Sequence, residues 1–259
     1  MSHLEQFIKN CHNNILCNNA ESNRAKDYLI DERGLTLETI KKHNIGYCNA
    51  YGKLPEEITF FGRDKKDGDK GFAYFIKGRL IVPVYNEFGE SIAFATRKPS
   101  VEPGNTWWNC PYKKGNHLFL LDKARKSMFD NNKVYLVEGY MDALVLYQEG
   151  LHNVVGLMGV SISSRKMGLI IRYCNNICMC LDVDASEAGQ KAQEEAICIL
   201  KKFDFCESIS VLDGMPVDKD PDIFVLENSL KELLSKERKL TVAEMAKIQK
   251  DVCKRRNRE

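Results

Sequence analysis

Short apolar runs alternate with helix-like stretches through the second half of the chain. The apolar runs cover residues 134–137, 154–157, 177–181 and 208–212. We predict that each is a buried strand, because strands that alternate with helical segments are typical of a parallel α/β sheet. The helices predicted between them cover residues 141–149, 164–173 and 187–203. With right-handed crossovers, this part would form a small doubly wound, Rossmann-like unit.

The first half of the chain has a different pattern. Two short helices are predicted at residues 25–30 and 35–43, the second with Thr36 as a possible N-cap. Two β-rich runs at residues 79–85 and 91–96 are separated by a turn-like segment, which predicts an antiparallel hairpin. This half is therefore expected to be an α+β subdomain.

The last part of the chain is predicted to be helical. Thr241 is placed as an N-cap and Glu244 at the capping-box position, and the chain finishes in a basic cluster at residues 254–258. The predicted organisation is an N-terminal basic α+β subdomain (1–132), a parallel-sheet domain (133–222) and a short C-terminal helical segment (223–259).

Composition indicates an ordinary globular protein of 259 residues, with 44% hydrophobic and 29% charged residues. No apolar run approaches the length of a membrane span and the N-terminus lacks a signal peptide's apolar core, so we expect a cytoplasmic protein with no membrane partner.

The ten cysteines are irregularly spaced, and Cys178 and Cys180 lie in a strand-like run. We expect these two to pack in the core, and we expect neither disulfides nor a zinc site. A net charge of +2 is too small to indicate nucleic-acid binding by itself.

Acidic residues follow three of the predicted strands. They are Glu138 and Asp142, Asp182 and Asp184, and Asp220 and Asp222. In a parallel sheet, side chains from adjacent strand ends converge beyond the carboxyl edge, where ligands bind. Six carboxylates there would repel one another unless cations neutralised them, and magnesium prefers such oxygen ligands. Each acid taken singly is more simply a helix cap or a solvated loop residue, but the whole pattern favours a metal site.

The same residues resemble a known domain. Glu138-Gly-Tyr-Met-Asp142 and Asp182-Val-Asp184 resemble the TOPRIM domain, and together with Lys219-Asp220-Pro221-Asp222 they look like bacterial DnaG-type primases. Upstream, the similarity continues in order through Arg33-Gly34-Leu35, Ile45-Gly46-Tyr47, Gly78-Arg79 to Pro83, Gly89 to Phe94, Arg97, Asn109 and Lys114-Gly115. It covers residues 24–222.

The resemblance implies synthesis of short RNA primers on a single-stranded DNA template from nucleoside triphosphates. Glu138 would be the catalytic acid/base or the residue that positions the metal. The ligands of Mg²⁺ would be the five aspartates, Asp142, Asp182, Asp184, Asp220 and Asp222, and Mn²⁺ is expected to substitute for Mg²⁺. Positive charge on an opposing wall would bind template and triphosphate phosphates. The cations carried over for this role are Arg33, Arg79, Arg97 and Lys114, and Asn109 is carried over as a further residue that binds nucleic acid or the triphosphate. Trp107 and Trp108 are suited to stacking single-stranded bases, although core packing of one of them is an equal alternative.

Three departures from the family pattern shape the expectations. The family's zinc-binding and helicase-binding domains have no counterpart in this sequence, so template choice is expected to involve a separate zinc-domain protein, and contact with a replicative helicase would differ. We hypothesise a phage or mobile-element origin, and a host-cytoplasmic location in that case. The third departure is in the metal motif, which has two more residues before Ala188-Gly189 than the family pattern has. Either Asp182 and Asp184 or Asp184 and Ser186 could therefore fill the ligand positions. The strand before the motif matches the family without a gap when Asp182 and Asp184 are the ligands, which favours that pair.

Two alternatives belong to other functional classes. A TOPRIM-type nuclease would use the same metals to hydrolyse phosphodiesters, but the primase-like segment upstream argues against it. A non-catalytic nucleic-acid-binding accessory protein would leave the acidic cluster without a role. A topoisomerase is disfavoured because the chain has no room for a strand-passage domain.

Overall fold

The computed structural model describes residues 1–49, 76–100, 107–159, 161–181, 187–201, 206–216 and 219–256. The chain divides into two compact units, Met1–Tyr112 and Lys113–Glu259. The division lies about twenty residues before the predicted boundary at residue 132, because residues 113–132 pack with the second unit. Leu121, Ala124 and Met128 lie in its hydrophobic core.

The first unit is an α+β arrangement around a small antiparallel sheet. Its helices are α1 (His3–Leu16), α2 (Ala20–Asp27) and α3 (Leu37–Lys42), with a short π-helical turn at Tyr28–Glu32. Its strands are β1 (Gly46–Cys48), β2 (Arg79–Tyr85), β3 (Ser91–Arg97) and β4 (Trp108–Asn109), hydrogen-bonded in that order. The β2–β3 hairpin and the Thr36 cap, whose side chain accepts from the Thr39 amide, confirm those predictions.

Glycine allows α1 to lie directly on β1. A Cβ on Gly46 would come within 2.6 Å of the Cys11 backbone, so any larger residue there would push the helix off the strand. This contact buries Phe7 and Ile8 of α1, with the ring of Phe7 5.2 Å from that of Phe94 on β3. The core of the first unit is thus the face of the sheet covered by α1.

The second unit is built on a mixed five-stranded sheet. Its strands are β5 (Lys133–Val137), β6 (Val154–Gly156), β7 (Asn176–Met179), β8 (Ser208–Leu212) and β9 (Glu237–Lys239). Its helices are α4 (Leu121–Asn131), α5 (Tyr140–Gln148), α6 (Ser164–Ile170), α7 (Glu187–Lys201), α8 (Pro221–Glu227), α9 (Leu230–Ser235) and α10 (Val242–Arg256). The strand order is β6-β5-β7-β8-β9, with the first four parallel and β9 antiparallel to β8.

The predicted α/β class with a parallel sheet is confirmed, and the four predicted strands are all present. One face of the sheet, through Val134, Leu136, Ile177 and Met179, forms the hydrophobic core with α4, α6 and α7. The C-terminal segment, predicted to be helical, also contains a strand that was not predicted, since β9 extends the sheet. These residues form a strand because they pair with β8. The sequence Glu237-Arg238-Lys239 has no alternation of apolar and polar residues that would predict a strand.

The predicted cap of the last helix is confirmed. The Thr241 hydroxyl accepts from the Glu244 amide at 3.2 Å, and the Glu244 carboxylate accepts from the Thr241 amide at 2.7 Å. Cys178 and Cys180 are buried on one face of the sheet with sulfurs 3.8 Å apart, as their strand spacing predicts. None of the described helices is both long and apolar enough to cross a bilayer.

Candidate active site

The turn after β5 positions the first pair of acids. Glu138 follows the strand directly and is half-buried, and Gly139 is the N-cap residue of α5. The Gly139 amide donates to Oδ2 of Asp142 at 2.9 Å, which folds the Asp142 carboxylate back towards the strand end. A Cβ on Gly139 would lie 2.4 Å from that oxygen, so a larger residue there would displace the Asp142 carboxylate from this position. Asp142 is buried as a result.

The second pair of acids begins α8. Asp220 is its N-cap residue and is half-buried, Pro221 occupies the first helical position, and Asp222 is only 1% exposed. Proline suits that position because its missing N–H would have no helical partner there. Oδ1 of Asp222 accepts from the Ile223 amide at 2.7 Å. Both acids are therefore held by the local geometry of a helix start.

Packing of α8 against α5 brings three of the predicted acids together. Each of Asp142, Asp220 and Asp222 offers a carboxylate oxygen within 4.8 Å of the others; we call these three residues the aspartate triad. Among the described residues, this group does not include Glu138. Three close oxygen donors, two of them on buried residues, are the donor set that a hard divalent cation such as Mg²⁺ accepts. The triad could therefore hold a metal ion.

Asp182, Asp184 and Ser186 lie outside the described residues. The strand that leads to them is present: β7 ends at Met179, and the Cys180 amide donates to the Leu136 carbonyl at 2.8 Å. Which of the three side chains are metal ligands stays a prediction.

Two arginines of the first unit stack on its tryptophans. The Arg79 guanidinium lies 5.2 Å from the ring centre of Trp108, and that of Arg97 lies 5.6 Å from the ring centre of Trp107. We call these four residues the Arg–Trp stack. Such distances are typical of cation–π interactions. Burial, and then the neighbouring charge of Arg97, lower the pKa of Arg79.

Hydrogen bonds fix the arginines of the stack. Arg79 donates through Nε to the Thr96 hydroxyl at 2.9 Å and through Nη2 to the Thr96 carbonyl at 3.2 Å. Arg97 donates through Nε to the Tyr28 hydroxyl at 2.9 Å. Both tryptophans are half-exposed, so the stack is neither core nor a fully solvated surface.

The remaining predicted binding residues belong to both units. Arg33 ends the π-helical turn that contains Tyr28, and its amide donates to the Tyr28 carbonyl at 3.2 Å. Asn109 pairs with Ala95 at the β3–β4 edge. Lys114 begins a 3₁₀ turn in the second unit, at Lys114–Asn116.

One buried cation in the second unit was missed by sequence reasoning. Lys166 occupies the third position of α6 and is 2% exposed. A lysine in the first turn of a short helix predicts a solvated side chain, and no signal in the sequence indicates its burial.

Comparison with known proteins gives two family matches. Residues 12–125 match the N-terminal domain of the DNA primase catalytic core, and residues 135–225 match the Toprim-like family. The DNA primase of Thermotoga maritima is 30% identical over 236 residues, which are 84% of this chain and 40% of that protein. The chain spans less than half the length of the curated relatives it matches.

Solved structures share the fold. The zinc-binding and RNA polymerase domains of the Aquifex aeolicus primase superpose with a TM-score of 0.75 at 24% identity, over 92% of this chain and 60% of that one. A DnaG primase catalytic domain bound to single-stranded DNA gives a TM-score of 0.71 at 23% identity, over 90% of this chain and 81% of that one.

Proposed function

The chain belongs to the DnaG-type primases, and we propose that it is a catalytic core that synthesises short RNA primers on single-stranded DNA from nucleoside triphosphates during DNA replication. The observation that carries the proposal is the aspartate triad at the starts of α5 and α8. The Toprim-like match supplies the family of the sheet domain, and the triad supplies a donor set for the metal that nucleotidyl transfer needs.

The proposed metal is Mg²⁺, with Mn²⁺ as a substitute. When bound, such an ion stabilises negative charge on the attacking and leaving oxygens of phosphoryl transfer. Asp142, Asp220 and Asp222 would hold it, and Asp182 and Asp184 are proposed as further ligands. Glu138, at the end of β5, is proposed to accept the proton of the attacking hydroxyl or to position a ligand.

The Arg–Trp stack is proposed to bind the template. Aromatic faces stack on bases of any sequence, and adjacent guanidiniums attract the phosphates between them. Because Thr96 and Tyr28 fix the two guanidiniums, the rings are held in place before a strand arrives. Arg33, Asn109 and Lys114 are proposed to contribute further contacts to the template or to the triphosphate.

A metal-dependent nuclease is the second candidate, because the Toprim-like match by itself does not fix the reaction. The match of residues 12–125 to the primase-specific N-terminal domain favours polymerisation. A non-catalytic accessory role is less consistent with three carboxylates held close together.

One assay separates these functions. The protein is incubated with circular single-stranded DNA, labelled nucleoside triphosphates and Mg²⁺ or Mn²⁺, with Asp142→Asn as the inactive control. Short labelled RNA oligomers are the expected product. DNA fragments without oligomers would identify a nuclease, and the absence of both products, with a replicative helicase or a zinc-domain protein added, would indicate an accessory role.

A further inference from the structure

Lys166 is a buried cation whose partners are backbone carbonyls. Its Nζ donates to the carbonyl of Leu157 at 2.5 Å and to that of Ser161 at 3.2 Å. Both carbonyls belong to the connection between β6 and α6. Burial, and then the charge of Lys114, lower the pKa of Lys166 to about 8, which leaves the side chain mostly protonated at pH 7. A buried positive charge at the first turn of a helix also opposes the helix dipole.

The connection that Lys166 holds is strained and adjoins the end of β5. Met158 has φ +59° and Gly159 has φ +134°. A non-glycine residue in this region costs about 1–2 kcal/mol, and such strain is concentrated at functional sites. The Gly159 amide donates to the Glu138 carbonyl at 3.2 Å, so this turn abuts the residue proposed as the catalytic acid/base.

Two further cations lie on segments that adjoin this turn or Lys166, one on the 3₁₀ turn at Lys114–Asn116 and one on α6. Nζ of Lys114 lies 3.7 Å from the position that a Cβ on Gly159 would occupy. The 3₁₀ turn that contains Lys114 is bound to the start of α6, because the Ser163 hydroxyl donates to the Gly115 carbonyl at 2.5 Å. Arg165 is close enough to His117 to contribute, after burial, to lowering the pKa of that imidazole.

These charges lack a carboxylate partner within the part of the chain that the structure describes. The salt bridges found there include neither Lys114, Arg165 nor Lys166. A buried cation is costly unless an anion or several dipoles offset it. The two carbonyls offset part of that cost, and an anionic ligand beside Lys114 would offset more.

We propose that Lys166 is a positioning residue for the triphosphate of the incoming nucleotide. It holds the turn at Met158 and Gly159 in its strained form and adds a fixed positive charge beneath Lys114, which contacts the phosphates. This inference rests on the proposed function for the identity of the ligand. It goes beyond that function because Lys166 is neither one of the acids predicted to bind metal nor one of the cations predicted to bind phosphates.

Three substitutions separate charge from anchoring. Lys166→Gln removes the charge but keeps an N–H donor for the carbonyls, Lys166→Met removes both, and Lys166→Arg keeps both. Lys231→Gln, which removes an exposed lysine on α9, is the matched control for lost charge. If the charge positions the triphosphate, the Gln and Met variants both have a KM for nucleoside triphosphates about tenfold higher with kcat nearly unchanged, as expected for lost uniform binding.

Arginine is expected to restore most of the KM effect, and the Lys231→Gln control is expected to match the parent protein. If Lys166→Gln resembles the parent while Lys166→Met alone is impaired, Lys166 only anchors the turn and the inference is wrong. The Gln and Arg variants carry the comparison if the Met variant does not fold.

A second measurement keeps this inference separate from the proposed function. Equilibrium dialysis with labelled ATP and Mg²⁺ gives the dissociation constant of each variant without requiring catalysis. A parent protein that binds ATP but makes no oligomers would refute primer synthesis, while weaker ATP binding by the Gln and Met variants would still support the role of Lys166. A parent protein that does not bind ATP would overturn it.

Discussion

Neutralising one member of the aspartate triad is expected to stabilise the protein when no divalent metal is present. In Asp222→Asn the side chain keeps its shape and an oxygen that can accept from the Ile223 amide, but it loses its charge. The substitution removes two of the three pairwise repulsions in the triad and leaves only that between Asp142 and Asp220.

The magnitude follows from the distances and the burial. Two unit charges 4.8 Å apart repel by about 3 kcal/mol at an effective dielectric constant of about 20 and by about 1 kcal/mol in bulk water. The first value suits the pair of buried residues, Asp142 and Asp222, and the second suits the pair with half-buried Asp220. About 1 kcal/mol is lost because the hydrogen bond to Ile223 is no longer charge-assisted.

The net gain for Asp222→Asn is therefore about 3 kcal/mol in the free energy of unfolding, which corresponds to a rise in Tm of about 6–12 °C for a unit of this size. The assay is thermal unfolding followed by circular dichroism in EDTA, then in a series of Mg²⁺ concentrations. The parent protein should gain about 2.7 kcal/mol when Mg²⁺ reaches a hundredfold excess over its dissociation constant, and the variant should gain much less.

Asp213→Asn is the control, because Asp213 is an exposed acid that forms a surface ion pair with Arg238. No increase in Tm is expected from it. A Tm for Asp222→Asn in EDTA at or below that of the parent protein would show that the triad is not electrostatically strained. The three carboxylates would then not need a cation to neutralise them.

Three further predictions concern activity, template binding and pH. Asp142→Asn should abolish primer synthesis in the oligomer assay while the protein stays folded by circular dichroism; residual activity above about 1% of the parent's would argue against a direct role of this carboxylate. Trp107→Ala should weaken single-stranded DNA binding about tenfold in a fluorescence-anisotropy titration, because one stacked base contributes about 1–3 kcal/mol, while Phe88→Ala, at an exposed hairpin turn, should leave it unchanged. The pKa of Lys166 is about 8 in the folded protein and higher in the unfolded protein, so the unfolded state binds more protons between pH 8 and 10.5. The free energy of unfolding should therefore rise with pH in this range, and Lys166→Met should flatten the corresponding rise in Tm. Equal slopes of Tm against pH for the two proteins would contradict the pKa shift.

Sequence patterns predicted where the strands lie and which acids follow them, because short-range rules determine both features. The β2–β3 hairpin follows from two β-rich runs around a turn, and the Thr241 and Glu244 cap follows from side chains three residues apart. The meeting of Asp142 with Asp222 was predictable because acids that follow strands of one parallel sheet lie at the same edge.

The features that sequence reasoning missed depend on tertiary packing. The β9 strand is a charged triplet that becomes a strand only through pairing with β8. The burial of Lys166 depends on the path of the β6–α6 connection, which brings the Leu157 carbonyl to its ammonium group. The start of the second unit, at Lys113, depends on α4 packing against the sheet, whereas the sequence changes its pattern only near residue 133.

The pairing of β9 with β8 has a consequence for how the protein can be divided. Residues after Asp222 cover the edge of the parallel sheet, and Lys133 of β5 forms a 2.5 Å ion pair with Glu237 of β9 across that sheet. A fragment that ends with the Toprim-like segment would expose the unpaired N–H and C=O groups of β8, which are a template for association with another chain. Such a fragment is expected to aggregate, and the smallest soluble form of the second unit should extend at least through β9.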